Sequence, residues 1–193
     1  MKLVIASTGA SGSIYLQRLL DSLRPADHEI HLVWSEPSRQ VVAEEIGTLR
    51  IPTGVREYDD RNMNVPFVSG STRFDALVIV PCSMGTMGRI AAGTSDSVIL
   101  RAADVFLKER RKLILVPRET PWNLIHARNA VTLLEAGAIL LPASPSFYNR
   151  PATVEAVADT VVSRILDQLG VENPGAFRWA EPTTVSPTSN PSS

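Results

Sequence analysis

The chain has 193 residues, long enough for one well-cored domain and hardly for two. With 19 Lys and Arg against 20 Asp and Glu its net charge is −1, which excludes the global basic field that draws a protein to nucleic acid or to an anionic membrane. A lone cysteine, Cys82, excludes an intrachain disulfide and any CxxC metal or redox pair, and His28, His31 and His126 are not spaced as metal ligands, so a soluble, cytoplasmic protein without a metal is expected.

Apolar runs alternate with helix-periodic segments along the chain, the signature of a βαβ series and a mostly parallel sheet. Leu3-Val4-Ile5-Ala6 is the first strand, and it runs into Ser7-Thr8-Gly9-Ala10-Ser11-Gly12-Ser13. A strand that turns through small residues onto a helix start presents backbone N–H groups to an anion. The turn is neither a GxGxxG fingerprint nor a Walker loop, and its bland reading is an ordinary tight strand-to-helix turn. Leu16, Leu19, Leu20 and Leu23 then follow at helical spacing. Ile30 to Trp34 reads as the second strand, and Ser35 caps a helix through Val41, Val42 and Ile46 that Gly47 stops.

Residues 48–72, rich in Pro, Gly, Asn and Ser, read as an irregular loop. Ala76 to Val80 is an uninterrupted apolar strand of the kind buried on both faces of a parallel sheet. A helix is expected over about 98–109, a strand at Leu113 to Val116, a helix from Trp122 to Ala136 and a strand at Ala138 to Leu141. Pro151 and Thr153 open a last helix, striped by Val154, Val157, Val161, Ile165 and Leu169 and closed by Gly170. Residues 1–180 are expected to form a single domain, and 181–193 a disordered tail rich in Pro and Ser.

Ligands of open parallel sheets sit beyond the carboxyl ends of the strands. Those ends read Ser7 to Ser13, Trp34-Ser35, the loop Pro81-Cys82-Ser83-Met84-Gly85-Thr86, Pro117-Arg118-Glu119 and Pro142 to Tyr148. They offer hydroxyls and one charged pair, suited to a phosphate, a ribityl chain or a polar heterocycle. Arg118-Glu119 is preferred as a functional pair over a surface ion pair because of where the strand delivers it. The segment Arg101 to Arg111 is helical in pattern; Arg101, Lys108 and Arg111 recur near helical spacing as an anion clamp, against the plainer reading of a solvated, ion-paired face. Cys82 reads as a small buried hydrophobe.

Taken together, TGASGS at 8–13, SGS at 69–71, PCSMGT at 81–86, RAADVFLKERR at 101–111, LVPRETP at 115–121 and PSFYNRP at 145–151 resemble the UbiX-type flavin prenyltransferases, a group that includes the small partner proteins of phenolic-acid decarboxylases. The resemblance runs in order over about residues 1–170. It implies an α/β three-layer sandwich, flavodoxin-like or Rossmann-like, that binds FMN and joins the dimethylallyl group of dimethylallyl monophosphate to N5 and C6 of reduced FMN. The product, prenylated FMN, would serve a UbiD-type decarboxylase, and the enzyme would be a homo-oligomer, commonly a dodecamer.

Carried over by motif, the resemblance assigns Gly9, Ala10, Ser11, Ser35, Ser83, Met84, Gly85, Thr86 and Arg118 to FMN. It assigns Lys108, Tyr148, Arg164 and Arg101 to the prenyl phosphate, Glu119 to acid/base work, and Glu45 with Ser11 to protons around N5 and the prenyl C1. The residue types suit that chemistry. Ionising an allylic phosphate without a metal needs cations to take the charge of the leaving group, a dry pocket and a general acid.

Just before SGS the family pattern has an aromatic over the prenyl pocket; this chain reads Asn62-Met63-Asn64-Val65-Pro66-Phe67, so Met63 or Phe67 is expected to stand in. Two other readings stay open: a flavin-dependent cysteine decarboxylase of the same fold, and a non-catalytic flavin-binding or delivery subunit. The first would want a His after the second strand and a PxMNxxMW-like stretch, and the chain has neither.

Overall fold

A computed structural model describes residues 1–179; the tail expected at 181–193 lies outside the described residues. Six parallel strands form one sheet: β1 (Lys2–Ser7), β2 (Glu29–Trp34), β3 (Arg56–Asp59), β4 (Ala76–Cys82), β5 (Lys112–Pro117) and β6 (Ile139–Leu140). Their order, 3-2-1-4-5-6, is that of the doubly wound Rossmann sheet rather than the 2-1-3-4-5 order of flavodoxin. The chain winds outward from β1 to β3, returns to β4 beside β1, and winds outward the other way. The two windings part between β1 and β4, which leaves a crevice at the carboxyl ends of those strands.

Alternation along the strands divides the core between the two faces. Leu3, Ile5, Ile30, Leu32, Val78, Val80, Ile114 and Val116 point to one face, where α1 (Ser13–Ser22), α2 (Glu36–Glu45) and α6 (Val154–Leu169) pack. Val4, Ala6, Val33, Leu77, Ile79, Leu113 and Leu115 point to the other, covered by α3 (Met84–Ala91), α4 (Val98–Lys108) and α5 (Leu124–Glu135). The leucine stripe of α1 and Val161, Ile165 and Leu169 of the α6 stripe are buried as their spacing predicts, whereas Val157 is half-buried and Val154, in the first turn, is exposed. Each such Leu or Ile contributes about 2 kcal/mol relative to an exposed one.

The expected caps Ser35 and Thr153 and the stop at Gly170 hold, and Ser97 and Asn123 prove to be caps as well. Ser35, Ser97, Asn123 and Thr153 cap α2, α4, α5 and α6 through the N–H three residues on, and Gly170 ends α6 in the left-handed conformation. Because Asn123 takes the cap, α5 starts at Leu124 rather than Trp122.

Two expectations are corrected. The stretch 48–72 holds the edge strand β3 and a turn of 3₁₀ helix at Pro66–Val68, and Met84 to Thr86 are the first turn of α3 rather than a loop. Only Tyr58 of β3 faces inward, onto His31, and tertiary contact supplies what local pattern lacks. His31 itself is a satisfied core histidine: its Nδ1 lies 2.9 Å from the Tyr58 hydroxyl and its Nε2 3.1 Å from Glu29. Phe67 and Phe74 meet its ring edge-on, so Phe67 is fully buried in the core and cannot serve as a pocket aromatic; Met63 lies exposed on its loop.

Candidate active site

At the switch point the first turn is pinned from several sides. The Thr8 N–H donates to the Pro81 carbonyl over 3.1 Å, and the Thr8 hydroxyl accepts the Ser83 N–H at 2.8 Å, so the ends of β1 and β4 are held together. Ser7 shares a 2.7 Å hydroxyl pair with Ser38 of α2, and its carbonyl accepts the Ser35 N–H. Gly9 faces α2 so closely that a Cβ there would stand 2.5 Å from the Pro37 Cβ, and only glycine permits that approach.

A cavity of about 430 Å³ opens here, lined by Thr8, Gly9, Ser35, Ser83, Thr86 and Ser97, with Trp34, Arg39, Arg61 and Arg89 around it. Three helix caps, Ser35, Ser83 and Ser97, therefore face one space. The N-terminus of α4 is already satisfied from within, since Asp60 accepts the Val98 N–H on its carbonyl and the Ile99 N–H on its carboxylate. The first two residues of α3, Met84 and Gly85, have no intrahelical acceptor, and nothing lies within 4 Å of where a Gly85 Cβ would stand. Bare N–H groups, hydroxyls and the positive end of α3 fit a phosphate ester and a polyol.

At the ends of β5 and β6 lies a second cavity of about 640 Å³, lined by Pro117, Arg118, Glu119, Thr120, Trp122, Pro142, Ala143, Ser144 and Pro145. Arg118 does not pair with its neighbour Glu119. Its Nε donates to the Ser11 carbonyl over 3.0 Å and so ties β5 to the first turn. The Glu119 carboxylate is exposed and accepts the Thr120 N–H at 3.0 Å.

Behind the turn, the carboxylate of Glu45, last residue of α2, accepts the N–H groups of Gly12 at 2.9 Å and Ser13 at 2.7 Å. Burial alone would raise the pKa of Glu45, but hydrogen bonds from Ser11, Ser13 and Gly12 outweigh it and hold the carboxyl below its ordinary range. Gly12, with φ of 115°, gives α1 no side-chain cap, and Glu45 supplies one from another helix. Ala10 is buried beneath the turn while Ser11 is exposed.

The remaining sequence-predicted residues are not gathered in one chain. Arg101 bonds the Val68 carbonyl and pairs with Asp104 at 2.5 Å, while Lys108, seven residues on, pairs with Glu109. Because α4 starts at the carboxyl edge of the sheet and runs back beside it, its 11 residues carry Lys108 about 15 Å away, to the opposite edge. Arg111 is a structural residue, donating to the carbonyls of Gly70 and Thr72. Arg164 pairs with Asp167 at 2.7 Å, and Tyr148 is exposed with its ring meeting Trp179 edge-on.

The model of a family described as Flavoprotein matches residues 1–174. The flavin prenyltransferase UbiX of Methanocaldococcus jannaschii is 44% identical over 184 residues, spanning 93% of this chain and 98% of that one. This chain belongs to the flavin prenyltransferase family of flavoproteins. A crystal structure of AnUbiX in complex with FMN and dimethylallyl pyrophosphate superposes with a TM-score of 0.87 at 37% identity, covering 93% of this chain and 97% of that one. The structure of a dodecameric, FMN-dependent UbiX-like decarboxylase from Escherichia coli also gives 0.87, at 40% identity, covering 94% and 100%.

In this flavoprotein Arg39, Arg61, Arg89 and Ser97 line the first cavity, and no pattern in the sequence marks them as site residues. Ser97 could have been found as the cap of a legible helix. The others depend on where β3 and α3 run. Among the described residues no three His, Cys, Asp or Glu side chains gather as metal ligands, and burial pushes the Cys82 thiol up to about 12, which leaves it inert at neutral pH.

Proposed function

We propose that this chain is a flavin prenyltransferase that joins the dimethylallyl group of dimethylallyl monophosphate to N5 and C6 of reduced FMN, in the cytoplasm, and passes prenylated FMN to a UbiD-type decarboxylase. The observation that carries the reading is a pair of cavities at the carboxyl ends of the strands: one lined by helix caps and hydroxyls, the other by Arg118 and Glu119, with Arg118 tied to the Ser11 carbonyl of the first turn. The family resemblance supplies the reaction, since relatives carry that name and one was solved with FMN and a dimethylallyl donor.

Thr8, Gly9, Ser35, Ser83, Thr86 and the first N–H groups of α3 would hold the FMN phosphate and ribityl chain, with Ala10, Ser11 and Arg118 along the flavin. When bound, reduced FMN supplies the two ring positions to which the prenyl group is joined. Lys108, Tyr148 and Arg164, with Arg101, would take the charge that builds on the departing phosphate, for which preorganised cations suffice. Glu119 would give or take the proton at the leaving group. Ser11, whose hydroxyl bonds the ionised Glu45, would pass a proton to that carboxylate.

Lys108 lies across the sheet from Arg118 within one chain, so the phosphate site is completed by a second copy, and we assign this protein to a homo-oligomer, a dodecamer as in the Escherichia coli relative. The apolar residues that α5 leaves in solvent, Leu124, Ile125, Val131 and Leu134, suit that assembly.

The test is anaerobic incubation of the purified protein with reduced FMN and dimethylallyl monophosphate, followed by mass spectrometry of the flavin. A gain of one prenyl unit is expected. Bound FMN with no gain would leave a flavin carrier.

A further inference from the structure

We infer that Trp122 is the aromatic wall of the prenyl pocket and sets the length of donor this enzyme accepts; the inference rests on the prenyl-transfer reading and deepens it. Both residues expected to supply such a wall are placed elsewhere: Phe67 is fully buried among His31, Tyr58 and Phe74, and Met63 is exposed on its loop and lines neither cavity.

Trp122 lines the 640 Å³ cavity beside Arg118 and Glu119 and is the one aromatic side chain among its lining residues. Its indole N–H donates to the Glu119 carbonyl over 3.1 Å, which fixes the ring against the residue that carries the acid/base carboxyl. About two fifths of the residue, 39%, stays accessible, so an apolar aromatic face is left open to the cavity rather than spent on the core. Pro117, Pro142, Ala143 and Pro145 add apolar surface beside the indole, while Arg118, Glu119, Thr120 and Ser144 make the rest of the lining polar.

That arrangement matches what an allylic donor needs at its hydrocarbon end. The π face attracts the positive charge that develops on the allyl carbons as the C–O bond breaks, and its carbon surface keeps water away. A fixed indole also bounds the cavity on its side, so that lengthening the donor from five carbons to ten brings the chain toward the ring. Replacing the indole by a methyl group removes that limit, and a pocket of this kind discriminates chain length by about tenfold or more per step of size.

The experiment compares the wild type with Trp122→Ala, Trp122→Leu and Trp122→Phe, each loaded with reduced FMN anaerobically and given dimethylallyl monophosphate or geranyl monophosphate. The readouts are the masses of the flavin products, the ratio of kcat/KM for the two donors, and the affinity for FMN. Trp122→Ala is expected to raise the geranyl-to-dimethylallyl ratio about tenfold or more, Trp122→Leu to raise it less, and Trp122→Phe to keep the wild-type ratio, with FMN affinity unchanged within about twofold in all three. Should Trp122→Ala not fold, Trp122→Leu carries the comparison. A ratio unchanged in the folded variants, with an active wild type, overturns this inference alone. A wild type that binds FMN but prenylates it with neither donor overturns the prenyl-transfer reading, and the inference falls with it.

Discussion

Glu119 follows Pro117, the last residue of β5, and Arg118, and its carboxylate accepts the N–H of the next residue. Glu45 differs in that its carboxylate is occupied by three neighbours, Ser11, Gly12 and Ser13. Glu119→Gln preserves shape and removes the proton, so the variant is expected to bind FMN within about twofold of the wild type while product formation falls by about a hundredfold or more. Single-turnover rates and a flavin titration measure the two effects, and an unchanged rate removes Glu119 from the chemistry. Ser35 and Ser83 were legible as cap and strand-end residues because a hydroxyl before a helix has few other uses. The anchoring of Arg118 by the Ser11 carbonyl, 107 positions earlier in the chain, was not. No local pattern encodes a contact of that span.

Helices here are completed by one another. The left-handed Gly12 leaves the first turn of α1 without a side-chain cap, and Glu45, at the far end of α2, fills the role and sits at the positive end of the α1 dipole. Since folding holds this carboxyl below its ordinary value of 4.5, its contribution is complete above that value and is lost as pH falls through it toward the lower folded one. Glu45→Gln is therefore expected to cost about 1 kcal/mol at neutral pH and to flatten the acid side of the stability curve. Urea titrations at pH 7 and at pH 4 test this, and a variant whose two midpoints shift equally would refute the role of the charge. Of the elements, β1, β2, β4 and β5 and helices α1, α4, α5 and α6 stand out in the sequence by apolar run or by stripe. β3 does not, because an edge strand with Arg56, Glu57 and Asp59 has no apolar alternation. Nor does α3, where Gly85 and Gly88 weaken the helix and the burial of Met84, Met87 and Ile90 on the sheet restores it.

At the scale of the whole molecule, the doubly wound order places five strand ends and three helix caps along one edge, while α4 carries Lys108 to the other. The Arg101 to Lys108 segment, which pattern alone presents as a clamp, is in one chain a series of internal ion pairs, with Asp104 and Glu109 as partners. The proposed assembly would turn Lys108 toward a neighbour's Arg118 edge. Ile125→Asp, on the exposed face of α5, is expected to break that assembly, lowering the mass in light scattering to a fraction of the wild-type value and abolishing prenyl transfer, with far-UV circular dichroism unchanged. Full activity in a small species would show that one chain suffices.

Sequence alone determined the strand and helix series apart from β3 and α3, the small-residue turn after β1 and the residue types at the strand ends, because periodicity, caps and strand ends are set by neighbours within a few residues. Tertiary structure alone decided the strand order, the union of Ser11 with Arg118 and Glu45, the loss of Phe67 to the core and the cavity that Trp122 shares with Pro142 and Pro145. Each of these joins positions far apart in the chain, and packing rather than local preference brings them together.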